Sequence, residues 1–323
     1  MYVADAVKLP APKVQAFSNF NREAFGGTEY MARGFLSKIS QHVPKFDEYR
    51  SLVFPGLTMP YDQLMDGEPT IVWLHNLIDQ FGPEPQKLFT NPKFLEQIVY
   101  LIVPSQFAKD KCVEQMGIDA DKVVVIQNAI DPIPFNKNKF KNVKKPIIMH
   151  GSSPDRGMEL LLLATTQIEE DFELQIFNNF NPDAVSGTGI WEKILNDKRI
   201  SFYNKTPRNT VVKHWGEAHI HAYPCIYDET SCITQIEALA ANTLSVYGNY
   251  SVLPETSMGY GMPVSFDRAN IEKYIADYAK ELSNAIKIVK NKEFNPGDQS
   301  KVIIEHYSWT KAKERFIALH ERL

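Results

Sequence analysis

Two glutamates, Glu229 and Glu237, stand eight positions apart in the stretch DETSCITQIEALA (228–240). An ionised carboxylate can accept two hydrogen bonds from vicinal hydroxyls, at charge-assisted strength. Between the two glutamates the residues read as the start of a helix near Thr230 or Ser231, following a strand that ends at Tyr223-Pro224-Cys225. A helix N-terminus directs backbone N–H groups and the positive end of a dipole outward, which favours an anion there. Ser231, Cys232 and Ile233 would carry those N–H groups. At about 1.5 Å of rise per residue, the two carboxylates would lie roughly 12 Å apart along the helix axis. The ligand that suits this chemistry has hydroxyls at both ends and negative charge between them, as a nucleotide sugar does. Two glutamates at this spacing also arise by chance on a helix surface, so the surrounding elements matter.

Those elements alternate. TIVWLH (70–75), YLIVPS (100–105) and VVVIQN (123–128) read as strands buried on both faces, and SQFAKDKCVEQMG (105–117) as a helix with Gly117 as its stop. The pattern restarts with PIIMHG (146–151), FELQIFN (172–178), RISFYN (199–204), AHIHAYP (218–224) and LSVYGN (244–249), with helices between. VQAFSNF (14–20) serves as a first strand. Alternation of this kind implies α/β architecture with parallel sheets and helices on both faces. In such sheets ligands bind beyond the strand C-termini, where the helix near Ser231 begins.

The stretch DPIPFNKNKFKNVKKP (131–146) has three prolines, five lysines and no periodicity. It reads as a solvated linker between two domains, with a basic contact for lipid headgroups as the alternative. The last segment, SWTKAKERFIALHERL, is an amphipathic helix with Trp309, Ala312, Phe316, Leu319 and Leu323 on one stripe. Packing against the rest of the protein is its expected role; its mixed charges fit membrane-surface binding less well.

Over 323 residues, a 44% hydrophobic content excludes disorder, and a net charge of -4 argues against a nucleic-acid partner. Cys112, Cys225 and Cys232 are odd in number and form no CxxC motif, which argues against a disulfide framework or a zinc site. The N-terminus lacks the features of a secretory signal, and no run approaches the ~18 apolar residues of a membrane span. The expectation is a cytoplasmic protein without a transmembrane segment, with peripheral membrane contact left open. The oligomeric state is not legible.

YPCIYDETSCITQIEALAANTLSVYGNYSVLPE, which contains the glutamate pair, resembles the signature of retaining glycosyltransferases of the GT-B fold, specifically glycosyltransferase family 4 (glycosyl transferases group 1). FGGTEYMARGFL (25–36) is similar to that family's N-terminal glycine loop and first helix. LIVPSQFAKD (101–110) and VVVIQNAID (123–131) resemble the strands that close its first domain. HGSSPDRGMELLLLA (150–164) resembles its phosphate-binding loop, and HYSWTKAKERFIAL (306–319) its terminal helix. The resemblance implies two Rossmann-like domains with a cleft between them: an acceptor-side domain (1–140), a nucleotide-sugar-binding domain (141–305) and a C-terminal helix (306–323) that packs back on the first. The implied activity is metal-independent transfer of a hexosyl group, with retention, from a UDP- or GDP-sugar to a hydroxyl acceptor such as a glycan, with no cofactor.

By the same resemblance, Glu229 binds hydroxyls of the donor sugar near the reacting carbon and Glu237 binds the ribose. Arg156, in the loop with Gly151 and Ser153, neutralises the diphosphate leaving group as charge grows on it. Gly26 and Gly27 face the donor. His75, at the end of TIVWL, bonds a sugar hydroxyl or helps place the acceptor, and Glu255 lies near the nucleotide. Each has a plainer structural reading: a helix-face salt bridge for Glu237, a surface position for Arg156, a turn for the glycines, a core position for His75. His214, His219 and His221 read as structural. The chain departs from the family pattern where many members carry a second cation: here the residues are Gly151-Ser152-Ser153. Lys205, Arg208 or helix N–H groups could substitute. The competing readings are a sugar phosphorylase, a nucleotide-sugar epimerase, which the glutamate spacing disfavours, and a sugar-nucleotide or glycan binding protein without turnover.

Overall fold

A computed structural model describes residues 13–16, 27–42, 51–55, 64, 67–178, 189–204 and 206–322. The chain divides into two compact units. The first comprises Met1–Asp131, Glu229–Ser231 and Tyr307–Leu323; the second comprises Pro132–Asp228 and Cys232–His306.

In the first unit the elements run β1 (Lys13–Ala16), α1 (Gly27–Lys38), β2 (Ser51–Phe54), β3 (Thr70–Trp73), α2 (Pro83–Phe89), α3 (Pro92–Gln97), β4 (Ile98–Val103), α4 (Gln106–Met116) and β5 (Val123–Val125). The second unit carries β6 (Ile147–His150), α5 (Met158–Thr165), β7 (Glu173–Asn178), α6 (Gly189–Leu195), β8 (Ile200–Asn204), α7 (Arg208–Glu217), β9 (Ile220–Tyr223), α8 (Ile233–Ala240), β10 (Leu244–Asn249), α9 (Leu253–Ser257), β11 (Met262–Ser265), α10 (Ile271–Lys290) and α11 (Gln299–His306). The last helix, α12 (Trp309–His320), belongs to the first unit.

The first sheet is parallel with the order β1-β2-β3-β4-β5. Its apolar runs are buried on both faces because helices cover both, as parallel sheets require. Side chains alternate along each strand. Leu52, Phe54, Ile71, Trp73 and Ile102 pack with Met31 and Phe35 of α1 and with Trp309 and Phe316 of α12. Val53, Val72, Leu101 and Val103 pack instead with Phe89, Phe94, Ala108 and Cys112. A Cβ on Gly34 of α1 would lie 1.7 Å from the Trp309 ring, so the indole seats only against a glycine.

The second sheet is also parallel, in the order β11-β10-β9-β6-β7-β8. The first strand of this unit, β6, lies between β7 and β9, so the chain winds outward first one way and then the other. This is the doubly wound dinucleotide-binding order, and its switch point falls between β6 and β9. Ile148, Leu174, Ile176, Ile220, Ala222 and Val246 form its core with Leu161 and Leu162 of α5 and Tyr278, Leu282 and Ile286 of α10.

Two local expectations change. The lysine-rich stretch 131–146 is not a solvated linker throughout. Ile133 is buried, and Phe140 packs edge-on against His219 and Phe294 at ring distances of 5.6 and 5.0 Å. Lys139, only 6% exposed, donates to the Ala241 carbonyl at 2.8 Å and the Thr243 hydroxyl at 3.2 Å, closing the C-terminal end of α8. Burial pushes its ammonium down to about 7, against the pull of Glu217. Second, α8 starts at Ile233 rather than near Thr230 or Ser231. Among the described residues, no helix is long and apolar enough to cross a membrane.

Candidate functional site

Two loops leave the switch point of the second unit. One runs from β6 through Gly151-Ser152-Ser153-Pro154-Asp155-Arg156-Gly157 into α5; the other runs from β9 through Pro224 towards α8. Their backbones touch. Gly157, the residue before α5, has φ +86°, and a Cβ there would meet the Pro224 carbonyl oxygen at 2.5 Å. Only glycine tolerates both the left-handed backbone and that approach. Gly151 sits where a Cβ would lie 3.1 Å from the Trp215 ring and 3.4 Å from the Thr234 hydroxyl of α8. The loop after β6 is thereby packed against both α7 and α8.

Arg156 is fixed on this loop. Its guanidinium carbon lies 3.5 Å from the centre of the Tyr227 ring, and it pairs with the neighbouring Asp155. Stacking of this kind contributes ~0.5–2 kcal/mol, enough to select a rotamer. Its backbone N–H donates to the Ser153 carbonyl at 3.0 Å, and the Ser153 residue is exposed.

Cys232, buried, is the residue before α8; its carbonyl accepts from the Ile236 N–H at 3.1 Å, so the helix forms immediately. Glu237, on the second turn, is 3% exposed and accepts a hydrogen bond from the Arg208 guanidinium at the start of α7. A carboxylate this deep in the protein is several kcal/mol unfavourable without a cationic partner. Glu255 lies part-buried on α9, whose Leu253 packs in one cluster with Tyr223, Cys225, Cys232 and Tyr247.

Glu229 and Ser231 fall in the first unit, and the residue between them is held there from two sides. The Thr230 hydroxyl donates to the His75 carbonyl at 2.6 Å. The Thr230 carbonyl accepts from the Ser105 hydroxyl at 2.7 Å, and the same Ser105 oxygen caps α4 by accepting from the Ala108 N–H at 3.0 Å. His75 is buried just beyond β3, 3.2 Å from the Asn128 side-chain oxygen and stacked near Trp73 and Phe54. Burial pushes its imidazole down to about 4, so it is neutral at pH 7. Gly27 is the exposed first residue of α1. Gly26 and Lys205 lie outside the described residues.

The second unit therefore gathers Gly151, Ser153, Arg156, Cys232, Ile233 and Glu237 around one strand-order reversal, with Glu255 on α9 after β10. The first gathers His75, Glu229 and Ser231. The eight-residue interval between the glutamates is not a single helical span, because residues 229–232 precede α8; the 12 Å rise argument does not apply. Sequence reasoning did not find Tyr227 under Arg156, the Arg208 partner of Glu237, or the Ser105–Thr230 link. Of these, Ser105 carried a signal as a serine immediately before a helical stretch, and Arg208 stood only as a candidate phosphate cation.

No family model matches the chain, and no curated protein does. Solved structures do, at low identity. A glycosyltransferase from Rickettsia africae is 16% identical over 84% of this chain and 76% of its own, with a TM-score of 0.64. HepE of Anabaena in complex with UDP is 12% identical over 84% of this chain and 78% of its own, with a TM-score of 0.67. The lipopolysaccharide outer core galactosyltransferase WaaB is 11% identical over 84% and 75%, with a TM-score of 0.57. With two parallel-sheet α/β units and these neighbours, the chain has the GT-B fold.

Proposed function

We propose that the chain is a retaining glycosyltransferase that moves a hexosyl group from a nucleoside diphosphate sugar to a hydroxyl acceptor such as a glycan. The observation that carries the reading is the switch point of the second unit. There a glycine-bounded loop bearing Arg156 meets the start of α8, and a buried carboxylate, Glu237, stands one turn further along. In this reading Arg156 and the N–H groups of Cys232 and Ile233 take the diphosphate, Glu237 the ribose, and Glu229 the hydroxyls of the donor sugar. Gly151, Ser153 and Ser231 line the phosphates, Gly27 approaches the donor, Glu255 lies by the nucleotide, and neutral His75 hydrogen-bonds a substrate hydroxyl. Structures of HepE with UDP and with UDP-glucose favour a UDP-sugar donor.

The acceptor oxygen bonds to the anomeric carbon as the bond from that carbon to the phosphate oxygen breaks. The leaving phosphate oxygen takes the acceptor proton on the same face, so configuration is retained. Charge growing on the diphosphate meets Arg156 and the helix N–H groups, and no metal or cofactor is assigned. The test is product formation from UDP- and GDP-hexoses with glycan acceptors. Glu229→Gln is expected to lose most turnover while still binding nucleotide. A binding protein without turnover is the second reading, favoured by Ser152 standing where a second cation is expected; it predicts nucleotide binding with no product from any donor. A sugar phosphorylase would instead consume phosphate and a disaccharide.

A further inference from the structure

We infer that Arg208 is a positioning residue for ribose recognition, acting by holding the buried Glu237 carboxylate in place and oriented; this rests on the nucleotide-binding reading above. The pair joins two unlike environments. Glu237 is 3% exposed on α8, whereas the Arg208 side chain is 37% exposed at the first position of α7. Pro207, with φ -58°, sets the backbone where α7 begins, so the guanidinium is presented from a fixed point. A carboxylate so buried is strongly unfavourable without a cation beside it, and the guanidinium bonded to it fixes the direction in which it faces. The guanidinium is engaged by Glu237; the rival role is to replace the second diphosphate cation missing at Ser152.

The two roles make opposite predictions. If Arg208 serves Glu237, its loss acts on the sugar edge of the nucleoside and is indifferent to phosphate. If it served the diphosphate, its loss would grow with phosphate number. The experiment is calorimetric titration of wild type, Arg208→Gln, Arg208→Lys, Glu237→Gln and the Arg208→Gln/Glu237→Gln double variant. The probes are the best bound of UDP, GDP and ADP, its 2′-deoxy form, and its nucleoside. Arg208→Gln is expected to weaken nucleoside and diphosphate by the same factor, about tenfold or more, and to bring the ribo-to-deoxy ratio towards one. Arg208→Lys, which keeps the charge, should restore part of that ratio. In the Glu237→Gln background the arginine substitution should change the ratio no further. The double variant removes both charges and keeps the comparison open should the single variant fold poorly. A loss that rises from nucleoside to diphosphate, or an unchanged ratio in Arg208→Gln, overturns the inference alone. A wild type that binds none of the three nucleotides overturns the nucleotide reading and this inference with it.

Discussion

Replacing Gly157 with alanine tests the geometry of the switch point. The new Cβ faces two penalties that can be separated. At φ +86° an L-residue is in the left-handed region, at ~1–2 kcal/mol. The methyl group would also sit 2.5 Å from the Pro224 carbonyl oxygen and 2.7 Å from its carbonyl carbon, backbone atoms at the end of β9 that cannot rotate away. Overpacking of that kind adds ~1–3 kcal/mol. Gly259 supplies the control. It lies in the same unit with φ +84°, and nothing stands within 4 Å of its Cβ position. Gly259→Ala therefore carries the backbone penalty alone. In differential scanning calorimetry each kcal/mol moves the midpoint of a domain this size by about 2–4 °C. Gly157→Ala is expected to lower the transition of the second unit by several degrees more than Gly259→Ala, and to weaken nucleotide binding, which Gly259→Ala leaves alone. Equal shifts for the two variants would show that the loops after β6 and β9 do not meet in solution, and the reasoning about this site would fail.

Other outcomes follow from the same contacts. Burial pushes His150 down to about 4 and His221 to about 3, from an ordinary value near 6.5. The unfolded chain then binds more protons than the folded one as pH falls through about 6.5, so stability is fully present above that value and is lost progressively towards pH 4. Urea midpoints should fall between pH 7.5 and 5, and His221→Phe should flatten the dependence; identical midpoints at the two pH values would contradict the burial of these rings. Thr230→Val removes the 2.6 Å bond to the His75 carbonyl at nearly constant volume. It should destabilise the first unit by about 1 kcal/mol and reduce turnover while leaving nucleotide affinity intact, as steady-state kinetics and titration would show.

The strands were legible wherever burial on both faces produced continuous apolar runs, as in TIVW of β3 and the YLIV portion of β4. The exception is the equally apolar SLVF of β2, which was not among the strands expected; Pro263 inside β11 argues against a strand, although it is accommodated because β11 is an edge. Strand order cannot be read from periodicity, so the reversal at β6 that defines the site became visible only in three dimensions. The lysine content of residues 131–146 misled because Lys139 is buried as the partner of helix-end carbonyls, a role that composition does not reveal. The glutamate pair was conspicuous by spacing, yet the explanation of that spacing assumed a helix from Thr230 or Ser231, whereas α8 starts at Ile233, four residues after Glu229. Arg208 and Tyr227 are distant in sequence from Glu237 and Arg156, and nothing local marks such pairings.

The most direct test of the account is to titrate the wild type and Arg156→Ala with UDP and with uridine. If the loop bearing Arg156 and the start of α8 hold a diphosphate, the wild type binds UDP far more tightly than uridine. Arg156→Ala then loses about tenfold or more for UDP and little for uridine. Equal affinity of the wild type for UDP and uridine, or an Arg156→Ala variant that binds UDP unchanged, would contradict it.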